Sequence, residues 1–177
     1  SLDDFRDRFG RRLAALARVQ GLLSQLAAGE RVAFDELLRS ELTGLGAIDG
    51  AAGRVTLGGP AGVPLRSGAV QILALALHEL GTNAVKYGAL SPLNPGGRLA
   101  VAWRIDPARG EGLPLLHVEW RESGVAIPGA AAAAPDGGYG RELIERALPY
   151  QLGAETTYAL GPDGVRCTIE MPVDGQD

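Results

Sequence analysis

A carboxylate and a carboxamide one helical turn apart are the residues of this chain best equipped for chemistry. Glu79 and Asn83 stand four apart within Ser67 to Ser91, SGAVQILALALHELGTNAVKYGALS. At that spacing they share one face of a helix with Thr82, Lys86 and Tyr87. Asn offers a neutral oxygen to a hard cation such as Mg2+ without repelling phosphates, and a neighbouring Glu can orient water or take a proton. The pair suits a cation and phosphate site. Glu and Asn on an outer helix face are nevertheless most often just solvated, so the rest of the chain has to support the chemistry.

The element that must position them is a helix of about five turns. Ile72, Leu73, Ala76, Leu77, Leu80 and Ala84 recur at three- and four-residue intervals and form its core stripe, Ser67 reads as the N-cap, and Gly88 stands where the helix should stop. Within it, HELGTNAVKYGALS closely resembles the N-box of the HWE family of bacterial sensor histidine kinases, whose ATP-binding domain belongs to the GHKL ATPase superfamily. The resemblance implies that Asn83 is the Mg2+ ligand and Glu79 the acid/base residue. It also identifies His78, grouped with Glu79 at the catalytic centre, as the histidine characteristic of this N-box.

Two further motifs occur in family order. WRESGVAIP contains the Trp-x-Glu that replaces the Asp of the first glycine box in the HWE family, here Trp120 and Glu122. By this resemblance Glu122 accepts a hydrogen bond from the adenine amino group, with Trp120 and Gly124 beside the nucleotide. The family pattern continues with Gly-Gly-Pro, whereas this chain has Ser123, Gly124 and Val125 and keeps one glycine. GGYGRELIERAL resembles the second glycine box. Gly138 and Gly140 lack Cβ atoms, so backbone N–H groups can approach phosphates at the start of a helix near Tyr139. Arg141 and Lys86 are lesser candidates for phosphate contact. Before this box, residues 129–137, GAAAAAPDG, read as a short ATP lid.

At the N-terminus, Leu2, Phe5, Phe9, Arg12, Leu16, Val19, Leu23 and Leu26 form a heptad seam with one charged interruption, Arg12. Ser1 with Asp3 and Asp4 starts this helix and Gly29 stops it, for a length of roughly 37 Å. RFGRRLAALARVQGLLSQ resembles the second helix of the kinases' dimerisation and phosphoacceptor hairpin, which implies a homodimer through this helix. In the family the first helix carries the acceptor His, and no His precedes His78 here. The expected organisation is therefore a partial dimerisation helix in residues 1–30 and an ATP-binding domain in 31–177. The chain opens on Ser1 rather than Met, which reads as a piece of a longer protein.

Composition narrows the alternatives. A length of 177 residues allows one substantial core, and a net charge of −4 with scattered Arg gives no footprint for nucleic acid. A single cysteine, Cys167, excludes a disulfide framework and fits a reducing cytoplasm. No apolar run is long enough to span a membrane and no signal-peptide pattern is present.

A second helix is expected over Phe34 to Leu45, strands over 54–57 and 63–66, one hairpin through Leu99–Ile105 and Leu116–Trp120, and another through Thr156–Leu160 and Val165–Met171. His117 and Glu119 fall on the outward face of the first hairpin. The expected fold is a two-layer α/β sandwich of GHKL (Bergerat) type, a mixed but mostly antiparallel sheet with helices on one face, preceded by a long helix. The resemblance implies a catalytic domain that moves the γ-phosphoryl group of Mg-ATP to a histidine, with an upstream sensor domain and a response regulator as partners. A nucleotide-binding regulatory module or pseudokinase of the same fold is the alternative, favoured by the shortened glycine run and the missing acceptor. Another GHKL activity, a serine kinase or ATPase, is a further one.

Overall fold

The computed structural model describes residues 1–26, 30–50, 53–126 and 137–173. Helix α1, Leu2–Ser24, begins with a capping box: the Asp4 amide donates to Ser1 Oγ at 3.2 Å, and the Ser1 amine donates to the Asp4 carboxylate at 3.0 Å. The heptad seam divides along its length. Ala15 and Val19 are buried against the domain, while Leu2, Phe5 and Phe9 stay more than half exposed, Phe5 and Phe9 stacked on each other.

Helix α2, Phe34–Gly44, buries Phe34, Leu37, Leu38 and Leu42, and the single turn α3, Ala47–Gly50, follows. Helix α4, Ser67–Lys86, buries the expected stripe of Ile72, Leu73, Ala76, Leu77, Leu80 and Ala84. Its N-cap is Arg66, not Ser67, and no side chain caps it. At the other end the Tyr87 and Gly88 amides both donate to the Asn83 carbonyl at 2.9 Å.

Among the described residues five strands form one sheet in the order β1-β2-β3-β5-β4: β1 Val55–Gly58, β2 Arg98–Asp106, β3 Leu115–Ser123, β4 Glu155–Leu160 and β5 Val165–Pro172. Only β1 and β2 run parallel. The register sets Val101 opposite Trp120 and Trp120 opposite Cys167, so the alternating apolar residues of three strands form one buried row under the helices. Phe34 of α2 meets Trp103 edge to face at 5.3 Å. Burial pushes the Cys167 thiol up to about 12, which makes it a packing residue rather than a nucleophile. The opposite face is polar, as alternation requires. There His117 is half-buried rather than freely solvated, 3.3 Å from Glu170 across the strands, and Glu119 accepts from Arg166 at 2.9 Å.

Residues 63–66 are not a strand of this sheet. They make one antiparallel bridge, Pro64 to Ala33, with Phe34 N–H donating to Val63 O and Leu65 N–H to Val32 O. Pro64 has no N–H to extend a ladder. The segment instead ties the start of α2 to the start of α4.

After residue 136 the chain resumes as one helical run: α5 Gly137–Glu142, a π-helical turn Leu143–Ala147, and α6 Leu148–Leu152, ended by Gly153 at φ 61°. This helix starts two residues before Tyr139. The Leu148 amide reaches back five residues to Leu143 O, and Pro149, which cannot donate, follows the widened turn. The proposed lid, 129–137, lies outside the described residues except for Gly137.

Candidate active site

The polar face of α4 forms the floor of a cleft. Glu79, Thr82, Asn83, Lys86 and Tyr87 line it together with His78, as the helical spacing requires. The second wall comes from α1, which brings Arg8, Arg11 and Arg12. Arg12 Nε donates to Glu79 Oε1 at 2.8 Å, a charge-assisted bond between side chains that are 29% and 12% exposed.

The glycine-rich helix completes the arrangement. Gly140 is buried where α5 crosses α4: a methyl group added there would stand 3.2 Å from Glu79 Cβ, 3.5 Å from Glu79 Oε2 and 3.7 Å from Asn83 Nδ2. Glycine fits here without displacing Glu79, whose Cβ would have to give by a few tenths of an ångström for any larger residue. Residues 61 and 57 positions apart in sequence thereby meet in one place.

Comparison with known proteins bears on the same question. The family model for HWE histidine kinase matches residues 1–61. A blue-light-activated histidine kinase of Rhizobium johnstonii is 32% identical over 165 residues, covering 93% of this chain and 43% of that protein. Blue-light-activated histidine kinase 1 of Erythrobacter litoralis is 33% identical over 174 residues, with 97% and 45% covered. The chain is thus similar to the HWE histidine kinases. It spans less than half the length of these curated relatives. Among solved structures, the histidine kinase domain from Erythrobacter litoralis EL346 blue-light activated histidine kinase superposes with a TM-score of 0.59 at 22% identity, over 93% of this chain and 74% of that one. The catalytic domain of histidine kinase ThkA gives 0.55 at 14% identity, over 83% and 99%. The fold is thus that of a histidine kinase catalytic domain.

The other HWE motif residues are spread more widely. Glu122 is buried at the end of β3, outside the lining of the Glu79–Asn83 cleft, and both its oxygens are engaged: Oε1 accepts from Trp120 Nε1 and Oε2 from the Ala89 amide, each at 3.0 Å. Burial raises its pKa above the ordinary value, against the pull of these two bonds. Trp120 is itself a core residue, so the Trp-x-Glu pair is a self-supporting unit in which the ring N–H orients the carboxylate. Gly124 has φ 72°, its amide donates to Asp163 Oδ1 at 3.0 Å, and a Cβ there would strike the Gly96 carbonyl. Its need for glycine is local to the turn. Arg141 is held by Glu145 at 3.0 Å and lies over the Tyr158 ring at 5.6 Å.

His78 is buried. Its Nε2 is 3.5 Å from Thr82 Oγ1, and its Nδ1 is 3.5 Å from Glu41 Oε2, close enough for attraction but not aligned as a hydrogen bond. Glu41 is fully buried and accepts from Arg18 Nη2 at 3.0 Å. Arg18, Glu41 and His78 thus join α1, α2 and α4 beside the cleft, which His78 also lines.

Sequence reasoning missed this cluster, although Glu41 interrupts the α2 stripe, next to Leu42 and one turn from Leu37 and Leu38. It also missed Asn94, buried in the loop after α4, where Nδ2 donates to Gly88 O at 2.9 Å and Oδ1 accepts from the Ala126 amide at 2.8 Å. That residue joins the loop after α4 to the end of the Trp-x-Glu strand. No periodicity signals it, because it lies in a loop.

Proposed function

We propose that the chain is the catalytic part of a sensor histidine kinase and moves the γ-phosphoryl group of Mg-ATP to a histidine carried elsewhere in the parent protein. The observation that supports this reading is the meeting of Gly140 with Glu79 and Asn83. Phosphoryl transfer depends mainly on positioning and charge neutralisation, and a glycine box against an Asn and a Glu supplies the parts. Among the described residues no cluster of three His, Cys, Asp or Glu side chains could hold a metal alone. That fits Mg2+, which usually takes one or two protein oxygens and fills its shell with phosphates and water.

In this reading Asn83 gives its carboxamide oxygen to Mg2+, whose charge offsets that of the phosphates. Gly138 and Gly140 let backbone amides approach the phosphates, and Lys86 and Arg141 add positive charge nearby. Glu79 takes the proton of the attacking imidazole. Glu122, oriented by Trp120, accepts from the adenine amino group through lone pairs its two existing bonds leave open. Gly124 shapes the turn beside it. His78 lines the cleft beside Glu79 and is otherwise buried against Glu41 and Thr82.

Residues 1–30 serve as part of the dimerisation and phosphoacceptor hairpin, with Leu2, Phe5 and Phe9 presenting the apolar face for a homodimer. The parent would take its signal from a sensor domain and pass the phosphoryl group to a response regulator. No helix among the described residues is long and apolar enough to cross a membrane, in keeping with a cytoplasmic catalytic domain. The deciding experiment supplies a helix bearing the acceptor histidine together with γ-labelled ATP and Mg2+. Acid-labile, base-stable label on that histidine is expected. Acid-stable label, or none, would refute the assignment.

A further inference from the structure

The N-terminal helix does more than precede the domain. Three of its side chains, Arg8, Arg11 and Arg12, line the same cleft as Glu79 and Asn83, and the Arg12 guanidinium occupies one oxygen of the proposed base. With α1 docked, the open space left in the cleft is about 20 Å3. That is room for roughly one ordered water molecule.

The same helix is fastened a second time, six residues on and about 9 Å further along its axis, by Arg18 on the fully buried Glu41. The two attachments differ in character. The Arg18 end carries the buried Ala15 and Val19, whereas the half before Arg12 exposes Leu2, Phe5 and Phe9 and meets the domain through its arginines. One end is anchored in the core and the other is held by ion pairing at the site.

We infer that α1 is an autoinhibitory clamp, in which Arg12 holds Glu79 and closes the phosphate end of the cleft until the N-terminal half of the helix swings away about its Arg18–Glu41 anchor. This inference rests on the catalytic reading of Glu79 and Asn83 given above. It makes Mg-ATP and the docked α1 competitors for one cleft. Any partner or sensor movement that lifts the N-terminal half therefore raises nucleotide affinity without touching the nucleotide.

The test uses the whole chain and a fluorescent ATP analogue with Mg2+. Arg12→Gln, which keeps most of the side chain's length but removes its charge, should bind the analogue about three- to tenfold more tightly than the parent, because the nucleotide no longer displaces an ion pair. Arg12→Lys, which keeps the charge, should return most of the way to parental affinity. Independently of any variant, hydrogen exchange on the parent chain should speed up on adding Mg-ATP for the amides of residues 6–13 and stay slow for 15–23.

Weaker binding by Arg12→Gln would overturn the clamp and make Arg12 a phosphate ligand instead. Unchanged affinity with unchanged exchange would overturn it as well. Asn83→Ala separates the two levels of the argument. If it loses Mg-ATP while Arg12→Gln is neutral, only the clamp falls; if it keeps Mg-ATP, the site itself is misplaced and the clamp falls with it.

Discussion

Breaking the pair behind the cleft gives a sharp check on the packing of α1. Glu41 is fully buried and Arg18 is 28% exposed, so the two single truncations are not equivalent. Arg18→Met leaves a carboxylate in the interior, with His78 Nδ1 3.5 Å away but not aligned as a hydrogen bond. An orphaned buried charge of this kind typically costs about 3–5 kcal/mol, and the partial exposure of the site puts the expected loss near 3 kcal/mol. Glu41→Leu leaves the guanidinium behind, and this group can turn toward water, so the loss should be about 1–2 kcal/mol.

Replacing both should cost less than the sum, since apolar residues of similar volume substitute for a buried pair at little penalty. The two single losses sum to about 4–5 kcal/mol, so with little penalty in the double variant the coupling energy is expected at about 3–5 kcal/mol. Urea unfolding of the parent, the two single variants and the double variant measures it directly, provided the slope with denaturant stays constant. A coupling below about 0.5 kcal/mol, or a Glu41→Leu variant less stable than Arg18→Met, would refute the picture of a buried anchor.

Three further outcomes are expected. Asn83→Ala should abolish Mg-dependent binding of a fluorescent ATP analogue while shifting the melting temperature little, because Asn83 lies on the partly exposed face of α4. Glu79→Gln should retain nucleotide but slow phosphoryl transfer to a supplied acceptor histidine, since the amide cannot take the proton; transfer at the parental rate would remove Glu79 as the base. Glu122→Gln should weaken ATP about ten- to a hundredfold, from loss of roughly 1.5–3 kcal/mol of charged hydrogen bonding, and GTP much less. The same substitution carries a pH signature: the raised folded-state pKa of Glu122 makes stability fall as pH climbs from 4.5 through that raised value, and the Gln variant should lack this fall in parallel urea titrations.

Much of this molecule was legible because its elements have strong periods. The α4 stripe and the alternation in β2, β3 and β5 are fixed by which residues must leave water, and they place Glu79 and Asn83 on the outer helix face without further information. The meeting of that face with Gly140 depends on tertiary packing, which no local pattern encodes. Residues 63–66 failed as a strand because a short apolar run between Gly and Arg looks the same whether it joins a sheet or makes one bridge, and Pro64 decides for the bridge. Arg12 was visible as the one charge in a heptad seam. What the spacing could not reveal is that the interruption is a partner for a carboxylate 67 residues away.

The contrast between the two arginines of α1 explains why one can serve as a latch and the other cannot. By reciprocity, whatever factor α1 docking takes from nucleotide affinity, nucleotide takes from α1 docking. A latch must therefore be weak enough for the binding free energy of Mg-ATP to overcome. A pair such as Arg12–Glu79, whose carboxylate keeps 12% exposure where that of Glu41 keeps none, is worth about 1 kcal/mol or somewhat more, a factor that millimolar nucleotide or a modest movement of the helix can supply. Arg18–Glu41 is buried at its carboxylate, and opening it would strand a charge in the core at several times that cost. The helix is thus hinged where separation is expensive and latched where it is cheap, and the latch closes on the carboxylate that the reaction needs.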